Sequence, residues 1–375
     1  MKKFLALTLA FIMVFALAAC SSKPAETSPS PEGNATTDPT PEVASDLNVG
    51  VFYYNFSDPY ITTVRESMDE QLKAAGITNV TNFDGASNQA NQTDQINTAI
   101  ANGVNLLVVN IVETTSPDAA QNAVDAAKKA GIPIIFFNRE VEDAVVNSYD
   151  LCAFVGTDAP EAGHMQGKLI GEYLMKNYDA VDLNGDGVIS YVMFKGQEGN
   201  AEAEGRTQFG VEDANAILTE GGKKELSFYD AKNTQKYLVD QGGNWSAQAA
   251  TDYMNTILSE YSESNKNMIE LVIANNDGMA LGAISALQTA GYNKGEGSTT
   301  IPVFGVDATP DAVQLINEGK MTGTIKQDGE KMAGTIITLI TNIQSGAKLM
   351  DNTSSFNVDE GVAKIRVPYG TYTGE

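Results

Sequence analysis

The stretch Asp182 to Arg206, DLNGDGVISYVMFKGQEGNAEAEGR, carries the most chemically committed spacing in the chain. Asp182, Asn184 and Asp186 alternate along it and Gly187 follows. This is the first half of a calcium loop, with oxygen side chains at the first, third and fifth positions, a glycine for the sharp turn, and a backbone carbonyl from Val188 next. Ser190 falls at the ninth position, but the twelfth, where a self-contained loop needs a bidentate glutamate, is Met193. VISYVMF reads as a strand, not as the helix that would follow such a loop. A complete shell would need a carboxylate from elsewhere. Without one, the same residues make an Asn-Gly-Asp-Gly turn with solvated carboxylates.

Other reactive side chains are scarce. His164 is the only histidine, in EAGHMQG, which reads as the start of an amphipathic helix and makes it a surface or partly buried residue. A lone histidine is a weak sign of acid–base catalysis. Of the two cysteines, Cys152 lies in the apolar run LCAFVG and is expected to be an inert buried thiol. No phosphate-binding GxxxxGK[ST] loop is present.

The elements that must position these residues alternate. Strand NVGVFYYN, helix SDPYITTVRESMDEQLKAAG, strand ITNVTNF, helix QANQTDQINTAIANG, strand VNLLVVNIV, helix SPDAAQNAVDAAKKAG and strand IPIIFFN follow in turn. Continuously apolar strands separated by amphipathic helices predict parallel sheets covered on both faces. CAFVGTD comes without a long helix before it and marks a first passage between domains. A second βα series then runs through VISYVMFKG, ELSFYDA, ELVIANN, IPVFGVD and MTGTIKQD to a last short strand, KIRVPYG. The fold class is α/β, with two doubly wound domains and several crossings between them.

In open parallel sheets, ligands bind beyond the carboxyl ends of the strands. Asp58 and Tyr60 follow the first strand, and Asn110 ends LLVVN. Asn138 and Arg139 end IIFFN, and Asn200, Glu202, Glu204 and Arg206 follow VMFKG. Trp245 lies after ELSFYDA; Asn276 and Asp277, then Asp307, then Gln327 and Asp328 close the later strands. Carboxylates, amides and a guanidinium each make paired hydrogen bonds, and flat aromatic faces cover the C–H faces of a sugar ring. The set suits a neutral polyhydroxylated ligand. Singly, Asp58 and Asp307 could be helix caps and Asn138 and Asn276 turn residues; as a set at one edge of two sheets they read as a binding site.

The chain begins with a targeting pattern: Lys2 and Lys3, an apolar run from Phe4 to Ala19, and Leu17-Ala18-Ala19-Cys20, which resembles a bacterial lipoprotein signal. That resemblance implies cleavage before Cys20 and acylation of its thiol. Residues 21–46 are rich in Ser, Thr and Pro and are expected to form a disordered tether. With 24 basic and 48 acidic residues the chain is strongly acidic, which argues against nucleic acid as a partner and leaves membrane attachment to the lipid.

Residues 47–370 or so resemble the bacterial glucose/galactose-binding proteins, the extracytoplasmic solute-binding components of sugar ABC transporters. The segments carrying the likeness are VGVFYYNFSDPY, NQTDQINTAIANGVNLLVVNIV, FVGTDAPEAGHMQG, DLNGDGVISYVMFKG, EAEGR, ELVIANNDGMALGA and IPVFGVDATPDA. The resemblance implies a type I periplasmic binding protein fold, two Rossmann-like domains joined by a three-segment hinge. It divides the chain into residues 47–155 with about 328–360 and residues 156–327 with about 361–375. It implies a hexose clamped between the lobes, with Asp58 on the O4 hydroxyl, Tyr60 and Trp245 stacking, and Asn110, Arg206, Asn276 and Asp307 as further ligands. Asn200, Glu202 and Gln327 stand where the family has a histidine, an aspartate and an asparagine, and Tyr60 where a phenylalanine is typical. A structural calcium ion is implied on Asp182, Asn184, Asp186, the Val188 carbonyl, Ser190 and Glu270. A monomeric, lipid-anchored, non-catalytic sugar receptor for an ABC permease is the expectation. The rivals are another sugar, such as a pentose or galactoside, and a carboxylate-based glycosidase.

Overall fold

The computed structural model describes residues 47–374; the expected signal, Cys20 and the tether lie outside the described residues. Two sheets of seven strands each organise the chain. The first is built by β1 (Val49–Tyr53), β2 (Val80–Asp84), β3 (Leu106–Val109), β4 (Ile134–Asn138) and β5 (Cys152–Gly156), joined through α1 (Pro59–Ala74), α2 (Gln89–Ala101), α3 (Asp118–Ala130) and the short α4 (Asp143–Val146). β1, β3, β4 and β5 are almost wholly buried, as strands covered by helices on both faces must be.

The second lobe runs through α5 (Ala159–Val181), β6 (Ser190–Lys195), α6 (Ala201–Glu220), β7 (Ser227–Phe228), β8 (Leu238–Val239), α7 (Ala247–Glu260), β9 (Leu271–Ala274), α8 (Asp277–Ala290), β10 (Val303–Asp307), α9 (Pro310–Asn317) and β11 (Gly323–Lys326). The chain then returns to the first lobe with α10 (Gly329–Gln344), β12 (Asn357–Val358) and β13 (Lys364–Arg366), and ends in the second with β14 (Gly370–Tyr372). Met332, Ile336 and Ile340 of α10 pack with Val64 and Met68 of α1 in the first core.

Sheet order is β12-β13-β5-β4-β3-β1-β2 in the first lobe and β14-β11-β10-β9-β6-β7 in the second, where β8 also pairs with β6. The sheets are parallel except for the β12–β13 and β11–β14 pairs. The strand order reverses at β1/β3 and at β6/β9, and the crevice at such a switch point is where open α/β sheets bind ligands.

Sequence and structure differ at the end of the chain. The single strand expected at KIRVPYG is two, in different sheets, because β13 pairs with β5 and β14 with β11. The last passage therefore falls between Arg366 and Gly370, beyond the expected 360. Pro368 lies in it, where the missing N–H cannot continue a ladder. The strand expected at ELSFYDA shrinks to Ser227–Phe228.

Candidate functional site

The carboxyl ends of both sheets face a small, polar-lined cavity between the lobes, the place where open α/β sheets bind ligands. The first lobe contributes Tyr54, Asp58, Tyr60, Asn138 and Arg139. The second contributes Asn200, Glu202, Arg206, Trp245, Asn276 and Asp307, with Gln327 from the second passage. Nine of the ten expected ligand residues are among these twelve.

Asn110 is not. Its amide is fully buried beneath the cavity, where Oδ1 accepts from Tyr54 N at 3.2 Å and Nδ2 donates to Phe137 O and Asn138 Oδ1 at 3.1 Å. It positions Tyr54, which the strand-end reading does not include, and Asn138, which that reading includes but the resemblance to the sugar-binding family does not. Both asparagines end apolar strands, so position along the strand could not separate them. Arg139, from the same strand-end set, stacks its guanidinium 4.2 Å from the Tyr54 ring centre. The next residue, Glu140, accepts from Lys364 at 2.5 Å and Arg366 at 2.6 Å, which ties this loop to β13.

Capping and binding prove compatible. Asp58 Oδ1 accepts from Ile61 N at 2.9 Å and caps α1, while Oδ2 accepts from the Tyr54 hydroxyl at 2.5 Å. Asn200 caps α6 and Asn276 caps α8 in the same way, and Asn276 Nδ2 also donates to the Trp245 carbonyl at 3.2 Å. Each cap satisfies an open helix end and leaves other atoms of the side chain for the cavity. Asp307 is no cap; α9 starts after Thr309. Asn138, Trp245 and Asp307 have φ of 63°, 57° and 127°, uncommon for residues with a Cβ; strain of this kind recurs at functional sites.

Arg206 is the hub. Nη1 donates to Asn275 O at 2.8 Å, and Nη2 to the Tyr369 hydroxyl at 3.0 Å and to Gln327 Oε1 at 3.2 Å. Tyr369 belongs to the third passage and its hydroxyl lies 2.8 Å from Thr157 Oγ1 of the first, so this one guanidinium touches the hinge as well as the cavity. Four buried polar atoms of lining residues have no protein partner: Arg139 Nε, Arg206 Nε, Gln327 Nε2 and Glu202 Oε1. Such atoms are rare in folded interiors. Arg139 donates to Gln197 across the cleft, and Asn200 Nδ2 donates to Thr114 Oγ1 at 3.3 Å, so the lobes meet.

Burial raises the pKa of Asp58, Glu202 and Asp307, with Arg206 opposing the shift at Glu202 and Asp307. Behind Asp307, the fully buried Asp277 accepts from Thr324 Oγ1 at 2.6 Å and Thr309 N at 2.8 Å, and burial pushes its pKa up as well. A carboxyl raised in the folded state keeps its proton where the unfolded chain has lost it. Its contribution to stability therefore falls as pH rises from about 4 towards the folded pKa, and stays low above it. Salt-bridged Asp143, whose pKa is lowered by Lys364, acts in the opposite sense. The difference between proteins isolates the effect: the Tm of Asp277→Asn relative to wild type is expected to rise over that pH window, and a constant difference in melting curves would contradict the assignment.

The remaining candidate residues lie elsewhere. His164 is half exposed, pairs with Asp213 at 2.8 Å and stacks on Phe209. Burial pushes the Cys152 thiol up to about 12, which makes it a poor nucleophile. Glu270 does reach the Asp182–Ser190 loop, as a shared ion would demand, but the donors do not fit a calcium shell. The Asn184 amide and the Ser190 hydroxyl are turned onto the Met268 backbone, and the Glu270 oxygens face backbone N–H groups. No helix among the described residues is long and apolar enough to cross a membrane.

Comparison with known proteins agrees with this architecture. Residues 49–348 match the periplasmic binding protein domain. The D-galactose/methyl-galactoside binding periplasmic protein of Haemophilus influenzae is 34% identical over 326 residues, 87% of this chain and 89% of that protein. An ABC transporter solute-binding protein from Clostridium phytofermentans, solved with β-D-glucose, superposes with a TM-score of 0.66 at 22% identity, covering 87% of this chain and 93% of that one. A Bacillus halodurans solute-binding protein solved with myo-inositol gives 0.63 at 24% identity, covering 89% and 96%. The chain belongs to the periplasmic binding protein family, with the type I two-lobed fold, and is a solute-binding transport protein and not an enzyme.

Proposed function

We propose that the protein captures a neutral monosaccharide, D-glucose or D-galactose or both, between its lobes and presents it to the permease of an ABC transporter. The observation that carries this reading is the set of four unpartnered buried atoms at the cavity: three N–H donors and one carboxylate oxygen. A hydroxyl group both donates and accepts, so a polyol supplies both needs without bringing a charge. Trp245 and Tyr60 offer flat faces to the ring's C–H surface. Contacts from both lobes are complete only when the cleft is shut, so sugar favours the closed state. Lipid attachment through Cys20 would keep the receptor at the membrane, where it would work as a monomer.

A different sugar is the second reading. Glu202 and Gln327 both line the cavity with long side chains, and relatives include a ribose import binding protein of Bacillus subtilis and a putative rhizopine-binding protein of Rhizobium meliloti. Calorimetric titration with D-glucose, D-galactose, ribose and xylose decides. Saturable heat with a hexose supports the first reading, heat with a pentose alone moves the ligand, and no heat with any sugar sinks both.

A further inference from the structure

The loop from Asp182 to Ser190 has the spacing of a cation site and sits at the opposite end of β6 from the cavity. We infer that it is a metal-independent clasp, in which hydrogen bonds to the Met268–Glu270 segment do the work that an ion does in a calcium loop. A calcium shell needs oxygen lone pairs turned inward from several side chains at once. Here those lone pairs are turned elsewhere. Asn184 Oδ1 accepts from Met268 N at 2.8 Å while its Nδ2 donates to Met268 O at 3.0 Å. Both ends of the amide are thus committed to one backbone residue, in the manner of a strand pair.

Ser190 completes the pairing. Its hydroxyl donates to Met268 O at 2.7 Å and lies 3.1 Å from Glu270 Oε2. Glu270 Oε1 accepts from Asn184 N, and Oε2 from Ser190 N, both at 2.8 Å. The remote carboxylate therefore meets backbone hydrogens, which attract an anion and not a cation.

The two aspartates are engaged within the loop. Asp182 takes Gly185 N on Oδ1 and Gly187 N on Oδ2, both at 2.8 Å, and Asp186 Oδ1 takes Val188 N at 2.9 Å. Lys224 Nζ donates to Asp186 O at 3.2 Å and places a positive charge beside the loop. Among the described residues, no three acidic, histidine or cysteine side chains converge as metal ligands. Both oxygens of Asp182 and of Glu270, one oxygen of Asp186 and the Asn184 Oδ1 each have an internal donor, so the loop holds its shape with its own hydrogen bonds. It fastens the start of β6 to the start of β9, the two strands at the reversal point of the second sheet.

Thermal unfolding of the purified protein, followed by circular dichroism in chelator and in millimolar calcium, tests the clasp. The expected Tm is the same in both, with no heat on calcium titration. A Tm that rises with calcium would overturn the inference, because a ligand of the folded state must raise it. Asn184→Asp separates the two readings further. In a calcium site the added carboxylate raises the calcium response. In a clasp it deletes the donor to Met268 O and sets a charge near Glu270, so Tm falls by several degrees with or without calcium. Ser190→Ala is the milder companion, expected to lower Tm in both buffers; a loss of Tm confined to the calcium sample would contradict the clasp. None of these readouts depends on which sugar the cleft takes.

Discussion

Arg206→Ala is expected to weaken sugar binding by about 100-fold or more, which is about 2.8 kcal/mol. Arg206 is 3% exposed and its guanidinium donors reach Asn275, Gln327 and Tyr369. Its removal does more than delete bonds. Asp307 and Glu202, whose carboxyls burial already drives towards protonation, would lose the charge that opposes the shift. Truncating one partner of a buried charge set leaves the others uncompensated, at a cost of about 2–5 kcal/mol. Arg206→Lys keeps a charge but not the planar fork, and should fall between alanine and wild type. Calorimetry reads the affinity and far-ultraviolet circular dichroism checks the fold. Wild-type affinity in a folded Arg206→Ala protein would remove this residue from the site.

Trp245→Ala is expected to cost about 2 kcal/mol or more, the scale of a buried aromatic anchor. Trp245 is 8% exposed, its ring centre lies 5.6 Å from the Arg206 guanidinium, and its backbone φ is 57°. Gly196 permits this placement, since a Cβ there would sit 2.1 Å from the ring. Gly196→Ala should therefore displace the indole and reduce affinity in the same direction without touching Trp245 itself. Trp245→Phe keeps a flat face and should recover part of the loss. Calorimetry is the proper readout for the alanine and phenylalanine variants, because Trp245 is the only tryptophan in the chain. Full affinity in Trp245→Ala would show that no sugar face rests on this ring.

Much of this architecture is legible in the sequence, for a physical reason. Runs such as LLVVN and IIFFN are apolar without alternation, which only a sheet buried on both faces tolerates, and the residues that follow such runs fall at the carboxyl edge by topology. Asp58, Arg206, Asn276 and Asp307 are found by that rule alone. The same rule fails for Asn110, because it locates an edge and not a direction. Whether an amide points to the cavity or beneath it depends on which neighbour, here Tyr54 N, takes its oxygen. Tyr369 escapes for another cause: it reaches Arg206 only through the third passage between lobes, and although Pro368 in KIRVPYG breaks the ladder, it does not tell that the strand beyond joins the other sheet. The calcium spacing shows a similar limit. Residue types and intervals specify a turn, but the orientation of Asn184 and Ser190 is set by Met268, far away in the sequence.

The central claim is that the cleft holds a neutral sugar against Trp245. Titrating the purified protein with D-glucose and D-galactose while following tryptophan fluorescence tests it most directly, because the sole tryptophan lines the cavity. A saturable change with one or both hexoses at micromolar concentration is the predicted result. A flat signal with both, together with no calorimetric heat from either hexose or from ribose and xylose, would contradict it.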